Sequence, residues 1–457
     1  MPKKEVSSSR RWGRLLSTQR LGRDRQTGSL DAPRRPSERD YDRIVFSSPF
    51  RRLQDKTQVF PLSSNDYTRT RLTHSLEAAS VGRSLGHLAA NWLSEMISNP
   101  AIAHIPSIVS AACLAHDIGN PPFGHSGEYA IQSWAENNRH LLDGLSLQEQ
   151  QDFLEFEGNA QAFRVVASLQ VRRRVGGLQL THATIGAMMK YPSASLHGEK
   201  PRQALVGQKK FGFFAAEEHL AVAALKEMGL PKHANVAYAR HPLAFLVEAA
   251  DDICYRIVDL EDSVDQGLVG AQAAIEVLRP LARAVSGFRD KTYRPMERVT
   301  WLRAHAINGL IEACHDVFVN HIDAILDGTF NDSLIQASGV AKDYNALEEL
   351  VQEFAYSNDR VLKVEVAGFQ TIGGLLDKFV GALLEKSPDK EQAKVRALMP
   401  LGYLQRPGKK TISDRNTAIR RLTPYERILA ATDFVSGMTD SYAIELYRNL
   451  TGIKLPM

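Results

Sequence analysis

The segment from Leu114 to Glu128, LAHDIGNPPFGHSGE, concentrates side chains that bind metal ions and move protons. His116 and Asp117 follow an apolar run, a Gly-Asn-Pro-Pro break comes next, and His125 then stands three residues before Glu128. A helix end needs only a glycine and a capping side chain, so these groups exceed what folding requires. The segment therefore indicates a site of chemistry.

Other groups of the same kind lie far away in the sequence. His74 stands in RTRLTHS, and Asp251 and Asp252 stand in LVEAADDICYRIVDLED. Neighbouring residues of a helix point about 100° apart, so His116 and Asp117 can share one ion only at a helix end. The remaining ligands must then come from other helices. An Asp among apolar helical residues is also unfavourable unless it meets a cation or another partner.

Two imidazoles and two carboxylates form a donor set that suits a divalent ion. The expected cofactor is therefore a divalent metal ion: Mn²⁺, Mg²⁺, Co²⁺, Ni²⁺, Fe²⁺ or Zn²⁺. Four protein ligands leave coordination positions for water or for phosphate oxygens, which is a catalytic arrangement.

Helices must position these groups, and the apolar spacing predicts them. From Arg71 onward apolar residues recur every three to four positions. The same spacing marks residues 108–114, 160–174, 215–228, 243–260, 271–287, 300–327, 345–356, 368–385 and 424–447. Strand-like alternation is limited to Val361–Val366, so the predicted fold class is all-α, nearly all helical. The long polar stretch Tyr191–Lys210 is expected to be a loop beside a ligand.

The composition is that of a soluble globular protein. Hydrophobic residues make up 44% of the 457 residues and charged residues 24%, which is enough to bury a substantial core. We find no apolar run of about 18 residues and no secretory signal, so we expect neither a membrane span nor export. Three cysteines without a CxxC pair favour a reducing cytoplasm.

The positive charge is concentrated at the N-terminus. Residues 1–43 hold 12 Lys and Arg but only 6 Asp and Glu, whereas the whole chain carries a net charge of +4. We expect residues 1–43 to form an extended basic arm, either a solubilising or subunit-wrapping tail or a contact for nucleic acid. Residues 44–400 are expected to form a helical body, and residues 401–457 a C-terminal helical subregion packed on it.

The order His, His-Asp, Asp resembles the HD-domain metal-dependent phosphohydrolases. Six segments narrow the resemblance to the deoxyguanosine triphosphate triphosphohydrolase family, over residues 35–447: RTRLTHS, LAHDIGNPPFGHSGE, FEGNAQAFR, KKFGFF, RHPLAFLVEAADDICYRIVDLED and FVSGMTDSYA. The resemblance implies a multi-helix HD-domain architecture and hydrolysis of a dNTP to a deoxynucleoside and inorganic triphosphate. It also implies a homo-oligomer, from dimer to hexamer.

Site residues follow from this resemblance. The metal ligands would be His74, His116, Asp117 and one Asp of the 251–252 pair. We choose Asp251, because it shares a helix face with Tyr255 and Asp259, where similar proteins place a ligand followed by nucleotide contacts. By resemblance, His125 and Glu128 would be the catalytic pair. Whether His125 acts as acid or base stays open.

The substrate-binding residues implied by the resemblance are six: Gln58, Arg71, Lys210, Tyr255, Asp259 and Glu365. Two of them, Arg71 and Lys210, carry the positive charge that a polyanionic substrate needs. The base that the site prefers is not specified by these residues.

Two alternatives stay open. An HD-domain nucleotidase or phosphodiesterase would keep the metal chemistry and act on a nucleoside monophosphate or a phosphodiester. A DNA-binding protein with a regulatory HD site would use the arginines and Trp12 of the arm to hold single-stranded DNA.

Overall fold

The computed structural model describes residues 2–23, 34–59, 69–196, 206–234, 236–282, 293–356 and 358–455. Within these ranges the chain forms twenty α-helices: α1 (Pro2–Leu15), α2 (Pro36–Val45), α3 (Ser48–Arg52), α4 (Arg71–Met96), α5 (Ile105–Ala115), α6 (His125–Asn137), α7 (Leu147–Leu154), α8 (Gly158–Arg164), α9 (His182–Met188), α10 (Glu218–Met228), α11 (Pro242–Asp265), α12 (Ala271–Leu281), α13 (Pro295–Asn320), α14 (Ile322–Asp327), α15 (Ala341–Val351), α16 (Asp359–Leu384), α17 (Lys390–Leu398), α18 (Arg415–Arg421), α19 (Pro424–Ser436) and α20 (Asp440–Leu450).

Shorter turns connect these helices. The 3-10 turns are Leu53–Asp55, Pro100–His104, Arg139–Leu141, Val206–Gln208, Ala215–Glu217 and Leu401–Leu404, and the π turns are Val165–Leu169 and Gln352–Tyr356. Two short antiparallel strands, β1 (Lys232–Ala234) and β2 (Ala237–Tyr238), form the only sheet within the described ranges. The predicted all-helical class is confirmed.

Three long or buried helices, α4, α5 and α11, form the centre of the molecule. Every residue of α5 except Ser107 is buried, which matches its nearly uninterrupted apolar sequence. Proline lies in the first turn of α5 and of α11, where its missing N–H is not needed. The Gly-Asn-Pro-Pro sequence after α5 cannot continue a helix, so the chain turns at His116 and Asp117.

Two apolar clusters divide the interior. The larger cluster is formed mainly by α2, α4, α5 and α9 to α13, and the smaller one mainly by α6, α16, α19 and parts of α17, α18 and α20. Residues 401–457 therefore share an apolar cluster with helices of the central body. The proposed boundary at residue 400 stays a prediction.

The N-terminal segment differs from the extended arm that we expected. Its described residues form α1 and α2, and Trp12, Leu15 and Leu16 are buried in the larger cluster. Arg20 and Asp40 form a buried ion pair with 2.7 Å between nitrogen and oxygen. The average composition of residues 1–43 is polar and gave no indication of a buried helix. The apolar residues lie on one side of α1 and immediately after it. Residues 24–33 of this segment lie outside the described residues.

The expected strand at Val361–Val366 is wrong, because these residues belong to α16. Val364 and Val366 alternate as in a strand, but Val361 and Val364 are three residues apart, which suits one face of a helix. The expected loop Tyr191–Lys210 is described only in part, since residues 197–205 lie outside the described residues.

Candidate active site

Three metal-ligating side chains meet where α4, α5 and α11 converge. One ring nitrogen each of His74 and His116 and one carboxylate oxygen of Asp251 lie within 4.8 Å of one another. The Nε2 atom of His74 is 3.0 Å from Asp251 Oδ1, and the Nε2 atom of His116 is 3.3 Å from the same oxygen. His74 lies in the first turn of α4, His116 directly follows α5, and Asp251 lies within α11. Three remote segments thus converge on one point.

The orientation of His116 suits a metal ligand. Its Nδ1 atom donates a hydrogen bond of 2.6 Å to the carbonyl oxygen of Cys113, which leaves Nε2 directed at the cluster. That Nε2 atom is buried and has no hydrogen-bond partner among the described residues. A buried imidazole nitrogen without a partner, beside a carboxylate, is an arrangement that a divalent ion completes. The three residues therefore fit a divalent metal ion.

Asp117 lies at the edge of this cluster. Its Oδ1 atom is 3.5 Å from His116 Nε2 and accepts a hydrogen bond of 2.6 Å from Asn120 Nδ2. Its Oδ2 atom is 2.6 Å from Arg71 Nη1. A carboxylate oxygen has two lone pairs, so Oδ1 can accept from Asn120 and still bind an ion. The role of Asp117 as a fourth ligand stays a prediction.

The charges of the cluster are strongly coupled. Burial lowers the pKa of His116, but the carboxylates of Asp117 and Asp251 outweigh burial and raise that pKa to about 9. Burial raises the pKa of Asp251, yet the imidazoles of His116 and His74 bring it well below its usual range. The metal-free cluster thus holds a proton that a divalent ion must displace, so metal affinity increases with pH.

His125 and Glu128 form a second functional unit in the first turn of α6. The Nδ1 atom of His125 is 2.9 Å from Glu128 Oε2, and the His125 side chain is 68% exposed whereas that of Glu128 is 5% exposed. Glu128 Oε1 accepts a hydrogen bond of 2.7 Å from the backbone N–H of Gly158. Burial raises the pKa of Glu128, but His125, Lys210 and the Gly158 N–H together bring it below its usual value. The charged Glu128 therefore orients the imidazole of His125. The Nε2 atom of that imidazole can then exchange a proton with a group in the cavity.

The turn between α5 and α6 is held in an unusual backbone conformation. Phe123 has a φ of 62° although it is not a glycine, and Gly124 has a φ of 60°. A Cβ at Gly124 would lie 2.8 Å from Arg71 Nη2, so only glycine allows this arginine to approach. Asp440 holds the turn, because its Oδ1 accepts a hydrogen bond of 3.1 Å from the Phe123 N–H. This unusual conformation lies directly beside His125.

Both functional units border one cavity of about 710 Å³: His116, Asp251, His125 and Glu128 line it, whereas His74 is buried and does not. Elements of both apolar clusters enclose it, since α4, α9 and α11 contribute from one side and α6 and α16 from the other. Five of the six expected substrate-binding residues line it: Gln58, Arg71, Lys210, Tyr255 and Glu365. The volume is within the range of small-molecule sites.

The four Lys and Arg residues that line the cavity all have carboxylate partners, including Asp117 for Arg71 and Glu248 for Lys190, the latter at 3.3 Å. Lys210 Nζ is 2.5 Å from Glu157 Oε1 and 3.9 Å from Glu128 Oε2. Arg256 lies over the ring of Tyr255 at 4.8 Å and forms an ion pair with Glu348. These contacts fix the cations at the cavity wall.

Asp259, the sixth expected residue, lies elsewhere. It is 1% exposed and does not line the cavity, although it follows Tyr255 by one helical turn on α11. Its role in binding stays a prediction. Asp252 lies on another face of α11 than Asp251, where its backbone carbonyl accepts a hydrogen bond of 2.8 Å from Tyr344.

Several residues of the site were not identified from the sequence. Asn120 orients Asp117, Glu157 holds Lys210, and Lys190, Asn159 and Arg256 line the cavity. Asn120 lies inside the HD segment, and Glu157 and Asn159 lie inside FEGNAQAFR, so the motifs contained the signal. Lys190 lies in none of these motifs. It directly precedes the polar stretch Tyr191–Lys210, where a lysine is ordinary.

Comparison with known proteins identifies the family of this chain. Residues 71–174 match the HD domain family. A deoxyguanosinetriphosphate triphosphohydrolase-like protein of Synechocystis is 40% identical over 97% of this chain and 100% of its own length. A protein of the same description from Listeria monocytogenes is 37% identical over 97% of this chain and 100% of its own length. A deoxyguanosinetriphosphate triphosphohydrolase of Salmonella arizonae is 32% identical over 91% of this chain and 94% of its own length.

Membrane insertion finds no support in the helices. Among the described residues, none of the helices combines the length and the apolar character that crossing a bilayer requires.

Proposed function

This chain belongs to the deoxyguanosinetriphosphate triphosphohydrolase-like family of HD-domain proteins, and we infer that it is a metal-dependent hydrolase of dNTPs. The reaction releases a deoxynucleoside and inorganic triphosphate. One observation carries the proposal: His116 and Asp251 of the His-His-Asp cluster line the same cavity as the His125–Glu128 pair. The names of the relatives make dGTP the first substrate to test.

In this proposal each unit of the cavity has a role. His74, His116, Asp117 and Asp251 would hold the divalent ion, which supplies Lewis acidity toward phosphate oxygens when bound. Arg71 is fixed to Asp117 and adds positive charge next to the α-phosphate. His125, oriented by Glu128, moves a proton at its Nε2 atom. A water oxygen becomes bonded to the α-phosphorus, the bond to the 5′-oxygen breaks, and that oxygen receives a proton.

The lining cations favour a triphosphate over a monophosphate or a phosphodiester. Arg71, Lys190, Lys210 and Arg256 all line the cavity, each beside a carboxylate, and a ligand with more phosphate groups can accept hydrogen bonds from more of these cationic donors. We propose that Gln58, Tyr255 and Glu365 contact the nucleoside part, with Tyr255 stacking on the sugar. Asp259 would act from behind Tyr255.

Product analysis in ¹⁸O-labelled water tests the proposal. The protein with Mn²⁺ is expected to convert dGTP into deoxyguanosine and triphosphate, with ¹⁸O in the triphosphate because water attacks phosphorus. All four dNTPs and dGMP should be tested with each candidate metal, which also compares the metals. Formation of dGMP and pyrophosphate, or faster turnover of dGMP than of dGTP, would contradict the proposal.

A variant of the proton-transferring residue completes this test. We expect His125→Ala to reduce kcat by about a hundredfold or more, as general acid-base groups typically contribute. His140→Ala is the matched control, because His140 is an exposed histidine just beyond the end of α6. Equal activity of the two variants would remove His125 from the mechanism.

Further proposals concern the preferred metal ion, the oligomeric state, a contact with DNA and the location of the protein. The imidazole ligands favour Mn²⁺, Fe²⁺, Co²⁺, Ni²⁺ or Zn²⁺ over Mg²⁺. We propose a homo-oligomer, between dimer and hexamer, and a contact of single-stranded DNA with the exposed arginines of residues 1–43. All three cysteines are free and buried, which supports the proposed location in the reducing cytoplasm.

A further inference from the structure

A second cavity, of about 210 Å³, lies against the turn that carries the HD motif. Ile118 and Gly119 form part of its wall, whereas His116, Asp117 and Asn120 line the first cavity. The two cavities share no lining residue. The second cavity therefore reaches the opposite side of the same turn.

Three cations line this second cavity: Arg52, Lys56 and Arg172. Among the described residues, none of the three forms an ion pair with a carboxylate. Asp433 also lines the cavity, but both of its oxygens lie 2.7 Å from the Arg164 guanidinium. Cations enclosed without a counter-charge are unfavourable, so the cavity attracts an anion.

Lys56 is the deepest of these cations. It is 4% exposed, and its ammonium donates to the carbonyl oxygens of Asn120 and of Ser436, the latter at 2.9 Å. An ammonium has three donors, so one is left for a ligand. Burial and the charge of Arg52 lower the pKa of Lys56 to about 7, and a bound anion would oppose both effects.

We propose that this second cavity binds a phosphate-class anion, either inorganic phosphate or polyphosphate or the phosphate group of a nucleotide. Ammonium and guanidinium groups are the donors that phosphate oxygens prefer. Gln161 supports this class of ligand, because it is 2% exposed, lines the cavity and has an Oε1 atom without a hydrogen-bond partner. Hydrogen phosphate carries one O–H that can donate to such an oxygen.

The anion would act on the first cavity through Lys56. The Lys56 ammonium holds the backbone of Asn120, and the Asn120 side chain holds Asp117. A bound anion keeps Lys56 charged and strengthens its hold on the turn. The consequence for catalysis rests on the proposed function, whereas binding itself does not.

Calorimetric titration of the full-length protein with inorganic phosphate tests for binding. The double variant Arg52→Gln, Arg172→Gln should bind phosphate at this site about tenfold or more weakly, because two charged hydrogen-bond donors are removed. The matched control is Arg51→Gln, Arg173→Gln, which removes two exposed arginines that directly neighbour the lining residues. Equal phosphate affinity of the two double variants would overturn the proposal.

The source of the phosphate group is resolved by repeating the titration with triphosphate and with dGMP. The occupant of this cavity is the ligand whose affinity falls in the Arg52→Gln, Arg172→Gln variant but not in the Arg51→Gln, Arg173→Gln control. If that double variant does not fold, Arg172→Gln alone should be tested. Its phosphate affinity is expected to fall by roughly the square root of the factor expected for the double variant. Arg172 is half-buried at the surface, so this single change is the milder one.

Hydrogen exchange measures the coupling without any turnover. Phosphate is expected to slow amide exchange of residues 116–120 in the unmodified protein and in the Arg51, Arg173 control, but not in the Arg52, Arg172 variant. An identical response of all three proteins would assign the protection to the first cavity and overturn the coupling. Failure of the dNTP hydrolysis test would leave both measurements interpretable.

Discussion

Lys56 is a lysine whose buried ammonium faces backbone carbonyls instead of a carboxylate. Burial is the largest cause of its lowered pKa, and Arg52 adds to the effect. The unfolded chain keeps an ordinary lysine with a pKa of 10.5, whereas the folded value is about 7. Between these two values the unfolded state binds the additional proton. The free energy of unfolding should therefore fall as the pH decreases from 10.5 to 7, and level off below that.

We predict that Lys56→Met removes this pH dependence. Between pH 7 and pH 10, the unfolding free energy of the unmodified protein should rise relative to the variant by roughly 1 kcal/mol per pH unit. Urea denaturation at several pH values measures the difference. Lys363→Met is the control, because Lys363 is a lysine with a 76% exposed side chain. Parallel profiles for Lys56→Met and the unmodified protein would show that the ammonium titrates normally.

Single residues also show what the sequence can identify in a site. His116, Asp117 and the pair Asp251 and Asp252 stood out because polar side chains occur where an apolar helix or its end needs none, whereas the choice of Asp251 needed the family resemblance and its helix face. Asn120 and Glu157 lie within the motifs but were not singled out, because Asn and Glu are ordinary near turns and helix starts. Their roles depend on hydrogen bonds to Asp117 and Lys210, which come from other segments. Such partners are visible only after folding.

At the scale of elements, close packing of α4 on α5 sets the distance between two ligands. A Cβ added at Gly86 of α4 would lie 2.7 Å from Pro106 Cα, a backbone atom of α5. The two helices therefore touch through glycine, and neither can yield without moving its backbone. His74 lies on α4 and His116 directly follows α5, so their separation depends on this contact.

We predict that Gly86→Ala destabilises the protein and weakens metal binding. Overpacking against a backbone typically costs about 1–3 kcal/mol, which exceeds the gain in helix propensity from Ala. Denaturation and Mn²⁺ titration measure the two effects. Gly373→Ala is the control, because a Cβ at Gly373 of α16 meets no atom within 4 Å. That change should stabilise the protein by up to about 1 kcal/mol. A stabilising effect at both glycines would mean that α4 and α5 are not in close contact.

Apolar spacing located the helical segments but not where each helix ends. The ranges 243–260 and 368–385 fall within α11 and α16 or one residue beyond, because their apolar spacing persists over several turns. The six residues of Val361–Val366 fit a strand and a helix equally, and only their continuation into α16 decides between them. The segment 160–174 ends its helix early, in a π turn at Val165–Leu169. Local sequence did not indicate that change.

Within the molecule as a whole, the cavity of about 710 Å³ lies between two apolar clusters. Helices α4 and α11 belong to the larger cluster, whereas α6 and α16 belong to the smaller one. Arg164 of α8 connects the clusters through a buried ion pair with Asp433 of α19. A shift between the two clusters would therefore change the shape of this cavity.

The N-terminal segment belongs to this same interior. Trp12, Leu15 and Leu16 are at most 3% exposed, and Arg11 of α1 bonds to Asp327 at 3.0 Å. Deleting residues 1–16 therefore removes part of the larger cluster and not a free tail. A deletion that lowers affinity for single-stranded DNA would report unfolding as much as the removal of a DNA-binding surface.

We predict that deletion of residues 1–16 lowers the unfolding free energy by roughly 5 kcal/mol or more, given the cost of removing several buried side chains. Thermal denaturation of the full-length and shortened proteins measures it. The control variant Arg10→Gln, Arg34→Gln, Arg39→Gln removes three exposed charges and no buried residue, so its unfolding free energy should stay within about 1 kcal/mol of that of the full-length protein.

DNA affinity and its salt dependence should be measured for that triple variant and for the unmodified protein, because removing an arginine that binds a phosphate group makes the salt dependence less steep. Unchanged stability of the shortened protein would mean that α1 packs too weakly to belong to the core, and the deletion would then be a valid test of DNA binding.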